Sequence, residues 1–468
     1  MTTQPARRAW AVLFVLCGAI FLEGIDISML GVALPSIRAD LGMSTGALSW
    51  VVSAYVLGYG GFMLLGGRAA DLWGRRRVFL ACLGVFILFS GLGGLATDGW
   101  VLIAARFVTG VAAAFMTPAG LSIITTTFAE GPPRNKALLV YAGTAAGGFS
   151  LGMVVGGLLT AASWRWVFFA PVILATAILV AGVRLLPRAA AARATPANQG
   201  FDLAGATTIT AAMLLLVLTV VRAPDVHAGW TVATLAASVA LLAAFVAIER
   251  RSAAPLVRLG LLRSGPLVRA NVGAMALTGS FFGFQFITVL YLQELRGWST
   301  VQTGLTLMIM GIDAVLAPTL TPKLVERWGN VRVILGGFLL AALAYALFLP
   351  LGADWTYPMM LPTLILTGLA FALAYGPLTI AATDGVDESE QGVAGGLLNS
   401  SFQFGSALGL ALVTAVTVAA TEAGNALDGY RAGLVVPVVG ALIGAAVMAA
   451  GVRRRAPRRA EAREAVRV

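Results

Sequence analysis

Apolar residues run through this chain in long stretches, broken by short polar clusters. A helix rises 1.5 Å per residue, so crossing a hydrocarbon core of about 30 Å takes about 20 mostly apolar residues. Fourteen stretches are long enough: 10–35, 46–67, 78–97, 100–127, 137–161, 165–186, 202–222, 230–249, 267–294, 301–321, 333–352, 357–382, 392–420 and 433–452. Clusters such as Arg38-Ala39-Asp40 and Glu130-Gly131-Pro132-Pro133-Arg134 separate them. Prolines inside the spans, among them Pro118, Pro318 and Pro377, are tolerated where neighbouring helices re-satisfy the freed carbonyls. Met1–Arg8 is too brief for a cleaved signal, so the run after it reads as a retained helix. The pattern predicts an all-α polytopic membrane protein with fourteen transmembrane helices.

Composition sharpens this. Hydrophobic residues make up 59% of the 468 residues and charged residues 11%, against roughly 45–50% and 25% in soluble domains. A soluble fold could not cover itself with so little charge, and a disordered chain would hold far less apolar surface. The net charge of +11 acquires meaning from its placement. With the N-terminus in the cytoplasm, 26 of the 32 basic residues fall in inner segments and five in outer loops, while Arg106 alone lies deep in a span. That bias orients the chain with both termini inside. It also sets the arginines beside anionic lipid, so they need not imply nucleic acid. Cys17 and Cys82 sit in apolar runs and His227 is the single histidine. No metal site, cofactor site or Ser–His–Asp triad is expected from such a set. No Gly-x-x-x-x-Gly-Lys-Ser/Thr occurs, which argues against ATP drive.

The sequence also repeats itself. Shifted by 255 positions, Asp71-Leu72-Trp73-Gly74-Arg75-Arg76-Arg77-Val78 falls on Glu326-Arg327-Trp328-Gly329-Asn330-Val331-Arg332-Val333. Both segments follow the second helix of a six-helix set. The expected organisation is an N-terminal six-helix bundle (1–187), a linker carrying two extra helices (188–265), a C-terminal six-helix bundle (266–452) and a basic cytoplasmic tail (453–468). Transporters built from such parallel halves bind substrate between them near the midplane.

Four motifs resemble those of the major facilitator superfamily, and within it the fourteen-span drug:proton antiporters common in bacteria. Gly67-Arg-Ala-Ala-Asp71-Leu-Trp-Gly74-Arg75-Arg76-Arg77 is similar to the superfamily loop motif, with Leu72 where Arg is frequent. Leu102-Ile-Ala-Ala-Arg106-Phe-Val-Thr-Gly110 resembles the fourth-span motif with its buried arginine. Ile25-Asp26-Ile-Ser28-Met-Leu-Gly31-Val-Ala-Leu34-Pro35 resembles the first-span motif, with Ser28 and Gly31 in place of Thr and Asn. Gly148-Phe-Ser-Leu-Gly152-Met153-Val-Val-Gly156-Gly157 resembles the fifth-span antiporter motif, with Met153 replacing its proline. The resemblance implies a monomeric, multi-pass protein of the bacterial cytoplasmic membrane, exporting drug-like small molecules against protons by alternating access. A narrow-specificity metabolite exporter or proton symporter of the same fold is the nearest alternative. A polytopic membrane enzyme is the alternative from another class.

The residues themselves suggest roles. Glu23 and Asp26 share a helix face at roughly 20–24 Å from Trp10 along the helix. A charged carboxylate at that depth costs about 2.5–3.5 kcal/mol, and protonating one at pH 7 costs about 4 kcal/mol. Costs so nearly matched suit a proton carrier; a permanently salt-bridged or snorkelling acid is the alternative. Arg106 needs an acidic or backbone partner, and these two acids are the natural ones. Asp313, in the tenth span, reads as a second titratable group, a cation-recognition site, or an acid near a water-filled crevice. Gly67, Asp71, Gly74, Arg75, Arg76 and Arg77 form a candidate conformational latch, and the same arginines serve topology. Gly148, Gly152 and Gly156 make a four-residue ladder for close helix packing, with Gly157 beside it. Asn271, Phe281, Phe282, Gln285, Tyr291 and Tyr375 are the candidate substrate-cavity residues, an aromatic set with a few polar groups suited to amphipathic compounds.

Overall fold

The computed structural model describes residues 6–128, 132–187, 202–223, 226–252, 263–384 and 391–464, together with 255, 260 and 386. Among them there is no strand. Sixteen α-helices follow one another: α1 Ala6–Leu41, α2 Thr45–Trp73, α3 Arg75–Gly94, α4 Gly99–Thr127, α5 Pro132–Ala162, α6 Trp166–Leu185, α7 Leu203–Arg222, α8 Ala228–Arg251, α9 Gly265–Leu290, α10 Thr300–Met308, α11 Asp313–Thr319, α12 Thr321–Trp328, α13 Asn330–Phe348, α14 Tyr357–Thr383, α15 Gln391–Ala423 and α16 Ala426–Glu464. Local chemistry sets several starts. Ser44 Oγ accepts from the Ala47 N–H, Asp202 Oδ1 from the Gly205 N–H, and Ser299 forms a reciprocal capping box with Gln302.

Thirteen helices among the described residues are long and apolar enough to cross a membrane. The tenth expected span, 301–321, differs from expectation. It is not one continuous helix: α10 tightens into a 3₁₀ turn at Ile309–Ile312, and α11 and α12 follow as separate short helices. Gly311 is a weak helix former, and Pro318 has no N–H to offer the carbonyl one turn back. The ninth span, expected to end at 294, ends as a π-helical turn over Tyr291–Leu295.

The chain divides into two compact units, one of residues 1–256 with 288–311 and the other of residues 257–287 with 312–468. In the first, α1 lies along α5 and α2 along α4. The glycine ladder makes the α1–α5 contact possible. A Cβ on Gly148 would lie 2.7 Å from the Phe21 carbonyl oxygen, and one on Gly156 would lie 2.6 Å from Met29 Cα. Gly152 meets Ile25 and Ser28 in the same way. Helices α7 and α8 pair through Ser238 Oγ, which donates to the Ala212 carbonyl, and α7 rests on α2 where Gly61 admits Thr210. Helix α8 leaves Val232, Leu235 and Val239 exposed, a surface made for lipid.

The second unit repeats this construction. Gly405 and Gly409 on α15 press against Met275 and Gly279 on α9, and Thr278 Oγ1 donates to the Phe402 carbonyl at 2.6 Å. The 255-residue repeat survives in detail. Gly74 and Gly329 both turn the chain at positive φ, 92° and 82°. The next residue in each case reaches the equivalent carbonyl: Arg75 Nη1 donates to Ser122 at 3.2 Å and Asn330 Nδ2 to Pro377 at 2.8 Å.

Gly148→Val should therefore lower stability by about 1–3 kcal/mol through overpacking. Gly147→Val should not, because a Cβ at Gly147 meets nothing within 4 Å. Thermal unfolding of the two variants in the same detergent checks the contrast.

Candidate functional site

Three helices of the first unit bring charged and hydroxyl groups together. Helix α1 supplies Glu23 and Asp26, three residues apart. Helix α2 supplies Tyr55 and Tyr59, four apart and so on one face. Helix α4 supplies Arg106 and Thr117, whose separation of eleven residues is close to three helical turns.

Arg106 Nη1 donates to Asp26 Oδ2 at 2.6 Å. Both residues are closed off, with 2% and 1% of their surfaces exposed. The guanidinium carbon lies 4.3 Å from the centre of the Tyr55 ring, a cation–π contact in a dry setting. Arg106 Nε is buried without a hydrogen-bond acceptor. Glu23, 4% exposed, has a different environment. Its oxygens lie 2.7 and 2.9 Å from Thr117 Oγ1, and Tyr59 Oη donates to one of them at 3.2 Å. No ion pair to Glu23 occurs among the described residues. Asp26 alone is paired with the guanidinium, so full ionisation would leave the Glu23 carboxylate as net negative charge in a place that disfavours it.

The other expected residues occupy several places. Asp313 begins α11 in the second unit, half-buried and within electrostatic reach of Tyr375. Tyr375 is 40% exposed, yet both its faces are covered, by Phe371 at 5.1 Å and Phe402 at 4.5 Å. Phe281 touches Phe282 and Phe371, extending that aromatic row. Gln285 and Tyr291 are buried. Asn271 is engaged by its neighbours: its Nδ2 donates to the Leu267 carbonyl and its Oδ1 accepts from Ser401 Oγ at 2.7 Å, tying α9 to α15.

In the loop motif, Gly67 is half-buried on α2 and Gly74 makes the turn. The Asp71 side chain lies outside the described residues. Arg75 serves α4 as noted, and Arg76 donates to the Val183 and Leu186 carbonyls at the end of α6. These are the orphan carbonyls of a helix C-terminus, which cations satisfy. Arg77 is exposed.

Gly157 faces away from α1. It admits the backbone of Thr300 and Val301, and Thr300 Oγ1 donates to its carbonyl at 3.0 Å. Gly304 lies against the Met153 carbonyl, and Ser150 Oγ approaches that of Gly311. Toward α1, Gln293 Nε2 donates to the Val32 carbonyl at 2.9 Å, and Arg38 Nη1 meets both Glu294 oxygens at 2.8 and 2.9 Å. The hairpin 288–311 is thereby fastened to α1 and α5. The sequence reading had not singled out Thr117, Tyr59, Tyr55, Arg38 or Glu294. The spacings within α2 and α4 were the available clue for the first three.

Comparison with known proteins converges on one family. A family model of the Major Facilitator Superfamily matches residues 16–410. The puromycin resistance protein pur8 of Streptomyces alboniger is 36% identical over 422 residues, covering 87% of this chain and 81% of that protein. The cephamycin export protein CmcT of Amycolatopsis lactamdurans is 36% identical, covering 87% and 85%. The lincomycin resistance protein of Streptomyces lincolnensis is 34% identical, covering 87% and 84%. Two solved structures share the fold: the POT family transporter PepTSo, with a TM-score of 0.69, 14% identity and coverage of 96% and 98%, and the nucleoside transporter NupG, with 0.65, 16%, 95% and 98%. The family match and these relatives make it a multi-pass membrane transporter of small molecules. The chain belongs to the Major Facilitator Superfamily.

Removing Arg106 alone strands a buried acid. Arg106→Met should destabilise the protein by about 3–5 kcal/mol, and Asp26→Leu combined with Arg106→Met should recover much of that loss. Unfolding midpoints of both variants in detergent measure the difference.

Proposed function

We propose that this chain exports antibiotic-sized amphipathic or cationic molecules in exchange for protons, by alternating access. It acts as a monomer in a bacterial cytoplasmic membrane, with fourteen spans counting the broken tenth, both termini inside and inner arginines against anionic lipid. The observation that carries the reading is the buried site in which Arg106 pairs with Asp26 while Glu23, one helical turn away, meets only hydroxyls among the described residues. One proton restores its charge balance. Losing that proton makes the closed site unfavourable until water or a cation reaches it, which is the coupling an exchanger needs. The names of the three relatives support an antibiotic substrate.

In this reading, Tyr375 and Phe282 present edges and a hydroxyl to substrate, Phe281 and Gln285 back them, and Asp313 recognises a cationic group or takes a second proton. The loop-motif arginines hold the inner ends of α4 and α6 as this bundle rocks. The hairpin 288–311, on the outer side, must part from α1 and α5 whenever the outer side opens.

Two experiments test the reading. In proteoliposomes with an internal pH dye, puromycin or lincomycin should drive proton movement. Glu23→Gln should abolish proton-driven accumulation while the purified protein remains folded, Asp26→Asn should abolish it with a lowered unfolding midpoint because Arg106 loses its counter-charge, and undiminished accumulation in both would refute the proposal. Separately, Arg38→Cys with Glu294→Cys, joined by a bifunctional thiol reagent, should stop turnover, whereas either cysteine alone should not.

A further inference from the structure

We propose that Thr117 and Tyr59 are positioning residues for the proton on Glu23, a hydroxyl pair whose hydrogens reorient to satisfy the carboxyl in both its states. This rests on the proton-carrying role proposed for Glu23. Thr117 Oγ1 lies 2.7 and 2.9 Å from the two Glu23 oxygens and 3.0 Å from the Ala113 carbonyl one turn back. A hydroxyl has one hydrogen and two lone pairs. When Glu23 is ionised, Thr117 gives its hydrogen to the carboxylate. When Glu23 is protonated, the carboxyl O–H donates to Thr117 Oγ1, and the threonine turns its hydrogen to Ala113. Tyr59 Oη has a matching choice between Glu23 Oε2 at 3.2 Å and Thr117 Oγ1 at 2.9 Å. No heavy atom moves, and each hydroxyl keeps its own hydrogen. The exchanged proton comes from water and returns to it.

The arrangement answers a specific problem. A buried carboxyl satisfied in only one state stays in that state, and a carrier has to leave both. Among the described residues, the titratable groups that interact with Glu23 are Asp26 on α1, Tyr55 and Tyr59 on α2 and Tyr141 on α5, with Arg106 on α4 paired to Asp26 and Cys17 on α1 beside Tyr141. Arg106 is committed to Asp26. Only the two hydroxyls reach the Glu23 oxygens among the hydrogen bonds of the described residues.

Infrared difference spectra of the reconstituted full chain, stepped through pH without substrate, read the carboxyl directly. The wild type should show a titrating protonated-carboxyl band that Glu23→Gln removes. Thr117→Val should move the band and displace its pH midpoint by about one unit or more, as expected on losing a hydrogen bond to a charged group. Thr117→Ser should restore both, and Tyr59→Phe should move the band while keeping the ring. A Thr117→Val spectrum like wild type, or a Thr117→Ser spectrum like Thr117→Val, overturns the proposal. If Thr117→Val does not fold, Tyr59→Phe decides, and an unmoved band overturns it. A band that persists in Glu23→Gln removes Glu23 as the titrating group, a failure distinct from that of the hydroxyl pair.

Discussion

The pairing of Arg106 with Asp26 is the constraint around which the first unit is arranged. A guanidinium and a carboxylate withdrawn from water hold together only with near-ideal geometry and well-satisfied surroundings. Helices α1 and α4 must therefore keep a fixed register, and α2 must place Tyr55 under the cation. The glycines of α5 let its backbone press directly on α1, leaving little room for α1 to shift. Glu23 benefits from that rigidity. It sits one turn from Asp26, whose cation is already engaged, and hydroxyls are its partners.

The second unit uses the same scaffold. Glycines again carry the α9–α15 crossing, and Thr278 and Asn271 supply its polar ties. In place of the buried ion pair there is a row of aromatic rings from Phe281 through Phe371 and Tyr375 to Phe402. The two units thus share these turns and close contacts and differ in the interior groups named here.

Much of this was legible beforehand because a span needs only length and apolarity, and because the buried Arg106 demanded an acid. Gly74 and Gly329 were visible as a repeated turn. The broken tenth span was not: Gly311 and Pro318 are tolerated in many membrane helices, and only packing decides where they interrupt one. The amide of Asn271 signals polarity in a span but does not reveal Ser401 as the neighbour that bonds it. Thr117 and Tyr59 are two among many hydroxyls, and only their helical spacing from Arg106 and Tyr55 marks them. Arg38 and Glu294 are 256 positions apart. Each reads alone as a loop charge, and their pairing is a property of the tertiary structure.

The hairpin 288–311 has a consequence for how such chains diverge. By sequence it belongs with the later helices, yet its bonds run to Val32, Arg38 and Gly157. A hybrid spliced between two relatives at the linker would bring a foreign hairpin to a native α1 and α5, with mismatched backbone contacts at Gly157 and Gly304. A junction that keeps these contacts has to carry residues 288–311 together with the first unit.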